Sequence, residues 1–392
     1  MNILFLSRWF PFPADNGSKL RIYNILRGLS RHHNVTLLSF GDHAVMNTEP
    51  ALVHRFCSDI HVISWRDFNP NSWRAKLGLL NAKPRSIIDT FSPAMAEKIT
   101  ELINTRHYDL VIASQLSMAA YYPYFKHVPA LFEELEIGLF LEDLQQTSCW
   151  TKRLRQSLTQ LKLRGYLIEL LDAFQMVTVA SNQERELVQQ KFPNIKNVVV
   201  IPNCLSLDDY EGIHVESKPN TLIFTGSFRY HVNYEAMQWF VSKVFPFVLE
   251  KIPSAELVIT GDHANLPLPS NKNLTLSGYV DDIKSLIASS SVALAPLWNG
   301  GGTRLKILEA MAVGTPMVAT SKGAEGLDAV PGKHLFVSDD PQQFAKYVIC
   351  LLQDTQIHNF ISQNALGFVR ENNDWRAMMP LFLNLVDRTS GK

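Results

Sequence analysis

The sequence predicts an α/β protein built as two doubly wound parallel-sheet domains facing each other across a cleft, and three observations carry that expectation. The chain has 392 residues, too many for one ordinary hydrophobic core and suited to two. Short apolar runs alternate with amphipathic stretches in two separate series, the pattern of strands and crossover helices in a parallel sheet. Between the series, Pro202 and Asn203 punctuate the chain. The expected divisions are 1–205 for a first domain, 206–372 for a second, and 373–392 for a terminal helix that crosses back to brace the first.

The first series opens with Ile3 to Ser7, an apolar run of the buried-strand type, then a loop from Pro11 to Gly17 and an amphipathic helix from Lys19 to Arg31. Val35 to Phe40 completes a βαβ unit. Further strands are expected at Ile60 to Ser64, Leu110 to Ser114, Ala130 to Phe132, Met176 to Ala180 and Val198 to Ile201. The second series starts with strand Leu222 to Thr225 and helix Tyr234 to Lys251, followed by strands Glu256 to Thr260 and Leu274 to Ser277. Helix Ile283 to Ala288, strand Val292 to Pro296, helix Arg304 to Val313, strand Met317 to Thr320 and helix Pro341 to Leu352 continue it. The last periodic stretch is Trp375 to Val386.

Composition narrows the function. Apolar residues make up 46% and charged residues 19%, so both halves are expected to fold. A formal net charge of zero argues against a nucleic-acid partner, because phosphate binding leaves a basic footprint. The four cysteines, Cys57, Cys149, Cys204 and Cys350, show no CxxC or CxxH spacing, so neither a structural zinc nor a disulfide framework is indicated and a reducing cytoplasm fits best. The start, MNILFLS, lacks the basic flank and length of a signal peptide, and no long uncharged apolar window follows, so any membrane contact is expected to be peripheral. Twelve histidines are present without an HxxxH-type pair, and no metal is expected. The absence of GxSxG, GxxxxGK[ST] and a strand-ending GxGxxG counts against hydrolase, nucleoside triphosphatase and NAD dehydrogenase.

The most informative segment runs from Asn299 to Ala312, NGGGTRLKILEAMA, after a strand and into a helix. A helix N-terminus directs free N–H groups and partial positive charge at its ligand. Gly300, Gly301 and Gly302 admit a bulky anion, and Thr303, Arg304 and Lys306 follow in the first turn, so a diphosphate is the natural occupant. Glu309 lies one turn beyond Lys306; an acid there suits vicinal sugar hydroxyls, as in dinucleotide sites. The plain alternative, a helix cap with solvated charges, is disfavoured because caps prefer Ser, Thr, Asp or Asn to three glycines.

On these residues, GGGTRLKILEAMAVGTPMVATSKGAEGL resembles the donor-site signature of the family 4 retaining glycosyltransferases of GT-B fold, two Rossmann-like domains. That family carries a pair of glutamates; Glu309 matches the second, which binds donor ribose, and Gly301 stands in place of the first. The resemblance extends along nearly the whole chain. SRWFPFPADNGSKLRIYNILRGLS is similar to the family's first loop and implies that Gly17 and Ser18 face donor phosphates. VIPNCLSLDDY resembles the interdomain crossing, and FTGSFRYHVNYEAMQWF, ITGD and SGYVDDI resemble the nucleotide-binding loops. By that likeness Gly226, Ser227, Arg229 and Gly261 line the donor site, and the backbone near Tyr279 and Val280 packs on the base. The GSFRYHVN and GGTRLKILEA segments together are similar to sugar transferases of bacterial exopolysaccharide and exosortase systems.

The resemblance implies transfer from a nucleotide-diphosphate sugar to a glycan or lipid-linked hydroxyl, with retention and without a cofactor or metal. Arg304 and Lys306 then stabilise the leaving diphosphate. A noncatalytic nucleotide-sugar sensor and a nucleotide-sugar epimerase stand as alternatives.

Two segments keep two readings each. Phe132-Glu133-Glu134-Leu135-Glu136 follows a strand, where a carboxylate, Glu136 among them, serves as general base for an acceptor hydroxyl, or where the acids form a solvated helix start. Residues 151–168 hold Lys152, Arg153, Arg155, Lys162 and Arg164 with no acid. They read as a basic amphipathic helix on anionic membrane at the inner face of the cytoplasmic membrane, or as a core helix with a solvated basic face.

Overall fold

The computed structural model describes residues 1–14, 16–41, 55–138, 150–213, 215–300 and 305–391, with 150–156 described by their backbone alone. The chain divides into two compact units, Met1–Pro202 with Met379–Lys392, and Asn203–Met378.

Unit 1 holds a seven-stranded sheet in the order β3-β2-β1-β4-β5-β6-β7, every pair parallel. Its strands are β1 (Asn2–Ser7), β2 (Asn34–Gly41), β3 (Asp59–Ser64), β4 (Leu110–Ser114), β5 (Ala130–Glu133), β6 (Met176–Val179) and β7 (Val198–Val200). The inner strands β1, β2, β4 and β5 are buried on both faces, which is why they read as continuous apolar runs without alternation. Helix α1 (Gly17–Leu29) starts where the Asn16 side chain accepts the Lys19 amide. The helices α2 (Trp73–Leu77), α3 (Arg85–Thr90) and α4 (Pro93–Thr105) lie between β3 and β4; the expectations above contained none of the three. After them come α5 (Gln115–Ala119), α6 (Trp150–Ala173) and α7 (Asn182–Lys191). The core is built on Leu4, Leu38, Val111, Phe132, Leu171 and their neighbours.

Unit 2 holds a six-stranded parallel sheet, order β10-β9-β8-β11-β12-β13. The strands are β8 (Lys218–Thr225), β9 (Glu256–Thr260), β10 (Leu274–Gly278), β11 (Ser290–Ala295), β12 (Met317–Ala319) and β13 (Phe336–Val337). The expected single helix Tyr234 to Lys251 is instead α8 (His231–Trp239), a π turn (Phe240–Val244) and α9 (Phe245–Lys251). Pro246 is the cause: it lacks an N–H and its ring crowds the preceding carbonyls, so the helix widens by a turn before it. The helices α10 (Ile283–Ser289), α11 (Leu305–Ala312), α12 (Pro341–Gln353), α13 (Thr355–Asn372) and α14 (Trp375–Ser390) complete the order. Leu205 and Trp375 pair by backbone: Leu205 N donates to Asn373 O (2.8 Å) and Trp375 N to Leu205 O (2.9 Å). From Met379 onward α14 belongs to unit 1, where Met379 fills the space that a Cβ on Gly28 of α1 would occupy.

Candidate functional site

In an open parallel sheet, ligands bind at the carboxyl ends of the strands. In unit 2 those ends gather Gly226 and Ser227 after β8, Gly261 and Asp262 after β9, and the segment after β11 that leads into α11. Gly226 has φ +154° and Gly261 φ +95°, conformations that side-chain-bearing residues rarely adopt. A Cβ on Gly261 would come within 2.8 Å of the Ser227 amide nitrogen, so these loops touch backbone to backbone. Gly261 N also donates to Gly278 O (2.7 Å), which sets the end of β10 and the following Tyr279 and Val280 beside them. Tyr279 is 84% exposed, with its ring free to lie against a flat partner.

Lys306, in the first turn of α11, places a cation at this site. Its Nζ donates to Asn233 Oδ1 (3.0 Å), sits 4.3 Å from the centre of the Phe224 ring, and would be 3.0 Å from a Cβ at Gly226. The ammonium therefore lies directly against the Gly226 backbone. Asn233 is itself held, because its Nδ2 donates to Ser227 O (2.8 Å). Glu235, two residues on in α8, accepts from Asn299 Nδ2 (3.0 Å) and anchors the start of the glycine segment.

Glu309 stands one turn along α11, and Tyr210 OH donates to its Oε1 (3.3 Å). Burial pushes the Glu309 carboxyl above its ordinary range, while the Tyr210 hydroxyl and the charges of Lys284 and Lys306 pull it back. Burial and the neighbouring Glu309 raise the Tyr210 phenol, so it remains a donor. Lys284 lies 4.4 Å over the Tyr210 ring and donates to Asp209 O (2.8 Å). A carboxylate with one phenolic donor and cations nearby retains lone pairs for two further hydroxyls.

Gly301, Gly302, Thr303 and Arg304 lie outside the described residues; Gly300 has φ +91° and α11 runs from Leu305. Arg229 pairs with Asp262 through Nε, and its side chain is largely exposed.

Unit 1 assembles a second polar cluster, at the carboxyl ends of β4 and β5. Gln115 and Glu134 both adopt positive φ, +68° and +60°, unusual for residues with a Cβ and costly by about 1–2 kcal/mol each. Gln115 Nε2 bridges them to α1, donating to Glu134 Oε2 (3.0 Å) and Ser18 Oγ (3.2 Å); Gly17 begins that helix. Glu133 accepts from Arg21 Nε (2.6 Å) and Ser114 Oγ (2.8 Å) in full burial. Burial, with the charges of Glu133 and Glu136, raises the Glu134 carboxyl to about 8, against the opposing pull of Arg21 and Gln115. The solvated-helix-start reading is thus corrected: Glu133 and Glu134 are buried, and the backbone there is not helical. Glu136 is half-buried.

A cavity of about 660 Å³ opens beside the ends of β1, β2 and β3, lined by Trp9, Phe12, Trp65, Arg8 and Lys19 among others. The Arg8 guanidinium stacks between Trp65 (3.3 Å) and Trp9 (4.2 Å). Burial lowers its affinity for the proton to about 10, with Asp67 opposing, so it stays charged at neutral pH.

Sequence reasoning did not find Asn233, Glu235, Tyr210 or Lys284. A signal for the first two was present: His231, Asn233 and Glu235 cluster in HVNYE where β8 gives way to α8. Among the described residues no group of three His, Cys, Asp or Glu is placed to hold a metal ion, and no helix is long and apolar enough to cross a membrane.

Residues 219–354 match the sequence profile of the family described as Glycosyl transferases group 1, and that span contains Gly226, Asn233, Lys306 and Glu309. A 44.6 kDa protein of the cps region of Klebsiella pneumoniae is 28% identical over 164 residues, 39% of this chain and 42% of its own. A protein named as a glycosyltransferase, YtcC of Bacillus subtilis, is 25% identical over 236 residues, 50% of this chain and 56% of its own. The chain thus spans about half the length of the curated relatives it matches. Among solved structures, HepE of Anabaena in complex with UDP-glucose is similar with a TM-score of 0.66 at 16% identity, covering 99% of this chain and 100% of HepE. The two parallel-sheet α/β units have the GT-B fold.

Proposed function

We propose that this chain is a glycosyltransferase that moves a sugar from a nucleotide-diphosphate sugar to a hydroxyl of a glycan or lipid-linked acceptor, in the synthesis of surface polysaccharide or glycolipid. The observation that carries the reading is the Lys306 ammonium, fixed by Asn233 against the glycine backbone after β8, one helical turn from the Tyr210–Glu309 pair. That spacing suits a donor whose ribose hydroxyls meet Glu309 and whose diphosphate meets Lys306, and the sequence assigns Arg304 and the glycine-loop amides to the same diphosphate. The Klebsiella relative from a cps region and the UDP-glucose held by HepE support the surface-polysaccharide setting and make uridine diphosphate sugars the first donors to test.

In the reaction the anomeric C–O bond to the diphosphate breaks, a C–O bond to the acceptor forms, and the hydroxyl proton passes to the departing phosphate oxygen on the same face. Retention is what the resemblance to the family 4 enzymes implies, and attack on the face from which the diphosphate departs accounts for it; an inverted linkage in the product would overturn that part of the reading. Negative charge developing on the diphosphate is met by Lys306 and Arg304 in place of a metal ion. The aromatic cavity of unit 1, with Arg8 and Lys19 in its wall, suits the acceptor. The test is release of nucleoside diphosphate with EDTA present: a transferase releases it only when acceptor is added, an epimerase alters the donor without acceptor, and a sensor leaves the donor unchanged. Either of the last two outcomes, or full loss of activity in EDTA restored by metal, overturns this reading.

A further inference from the structure

A surface of unit 1 far from composition averages is its apolar tip. Leu80 is 91% exposed, Trp73 69%, Leu161 68% and Leu77 58%, with Leu79 and Leu158 also exposed. Single exposed leucines are ordinary; four exposed apolar side chains within eight residues, a tryptophan among them, are not. These residues belong to three elements. Trp73 and Leu77 lie on α2, Leu79 and Leu80 on the 3-10 turn that follows (Gly78–Leu80), and Leu158 and Leu161 on α6. Lys162 Nζ joins the elements by donating to the Gly78 and Leu79 carbonyls, and Lys83 sits 5.9 Å over the Tyr166 ring.

The α6 helix already has its core face: Leu163, Tyr166, Leu167, Leu170 and Leu171 are buried. Leu158, Leu161 and Ile168 project from the opposite side, where a water-facing helix carries polar residues. The tip is also held firmly. The Ser72 side chain accepts the Ala75 amide to start α2, the buried Asp89 takes both the Ser72 hydroxyl and the Asn69 amide, and Arg85 donates to Ala75 O (3.0 Å) and Pro70 O (2.6 Å). A scaffold built this way presents its leucines outward at fixed positions.

Charge identifies the occupant. From Phe68 to Ile88 the sequence carries Arg74, Lys76, Lys83 and Arg85 and no acid, and from Trp150 to Ile168 it again carries no acid. Exposed apolar and aromatic side chains on segments that carry cations and no acid match the interface of an anionic bilayer, where leucine and tryptophan enter the acyl boundary and lysine and arginine meet headgroups. We propose that the α2 tip and the outer face of α6 together form a docking surface for an anionic lipid bilayer. The basic α6 alone suggested such contact; the exposed tip beside it supplies the inserting residues.

The experiment is flotation of the full chain with phosphatidylcholine vesicles, with and without phosphatidylglycerol. Wild type is expected to float with the anionic vesicles, to release them at high salt, and to bind neutral vesicles weakly. The variant Leu80→Ser/Leu161→Ser, altered only at exposed positions, is expected to bind at least about tenfold more weakly. The variant Lys76→Glu/Lys83→Glu is expected to lose the preference for anionic lipid, and Phe360→Ser, an exposed aromatic of unit 2, to keep wild-type binding. No flotation of wild type, equal binding by Leu80→Ser/Leu161→Ser, or self-association through this face in light scattering in place of vesicle binding overturns the proposal.

Discussion

Replacing Lys306 by methionine removes a charge while keeping the stem packed on Phe224, and its consequence follows from the geometry. The ammonium is held at 3.0 Å by Asn233 and lies against the Gly226 backbone. In that arrangement it meets a diphosphate without having to reorganise, which is what makes a fixed charge effective in the transition state. One such group contributes about 3–4 kcal/mol, or roughly 10²–10³ in kcat/KM. The loss belongs mainly in kcat, because charge on the leaving group is greatest in the transition state. Asn233→Ala leaves the charge but frees its position, so a smaller loss, about tenfold, is expected. The assay is the initial rate of acceptor-dependent nucleoside-diphosphate release, with circular dichroism to show that each variant is folded. A folded Lys306→Met enzyme within about threefold of wild type would refute the reasoning, since it would mean that no developing charge faces this side chain.

Three further outcomes are expected. Glu134 has its carboxyl raised to about 8 in the folded chain, so its contribution to stability is whole below its ordinary value of 4.5 and is lost as pH rises through 8. The full span is on the order of 5 kcal/mol, so the melting temperature of wild type should fall between about pH 5 and 9 more steeply than that of Glu134→Gln; parallel profiles would exclude the shift. Gly226→Ala puts a Cβ 2.7 Å from Asn233 Nδ2 and 3.0 Å from Lys306 Nζ at a strained φ, and should lower kcat/KM at least about as far as Lys306→Met; a wild-type rate would separate the loop from the reaction. Trp65→Ala, in the unit 1 cavity, should raise the acceptor KM severalfold and leave the donor KM unchanged, whereas an effect on the donor alone would move the acceptor elsewhere.

The fold was legible because strands buried on both faces are written as unbroken apolar runs: Ile3 to Ser7 and Leu110 to Ser114 coincide with β1 and β4 to within a residue. Helices α2 and α3 were not read because they are only five and six residues long, shorter than a reliable helical period. At the site, Lys306 and Glu309 stood out in one segment, while their partners came from far along the chain. Asn233 is 73 residues from Lys306, and Tyr210 is 99 from Glu309. A lone Asn or Tyr carries no local pattern; only the parallel sheet, which brings successive strand ends together, makes it a partner. The acidic run after β5 was ambiguous for a related reason. Arg21, which neutralises Glu133, lies 112 residues away, and the positive φ of Glu134 is set by packing that no local preference announces.

The measurement that tests the central claim most directly is a thermal-shift titration of UDP-, GDP- and ADP-sugars on wild type and on Glu309→Ala. A donor at about a hundred times its Kd stabilises the folded state by about 2.7 kcal/mol, a readily detected rise in melting temperature. The account predicts such a rise for one nucleotide base with wild type and its loss in Glu309→Ala. An equal rise in both proteins would remove Glu309 from the donor site, and no rise with any nucleotide sugar would contradict the claim that unit 2 binds one.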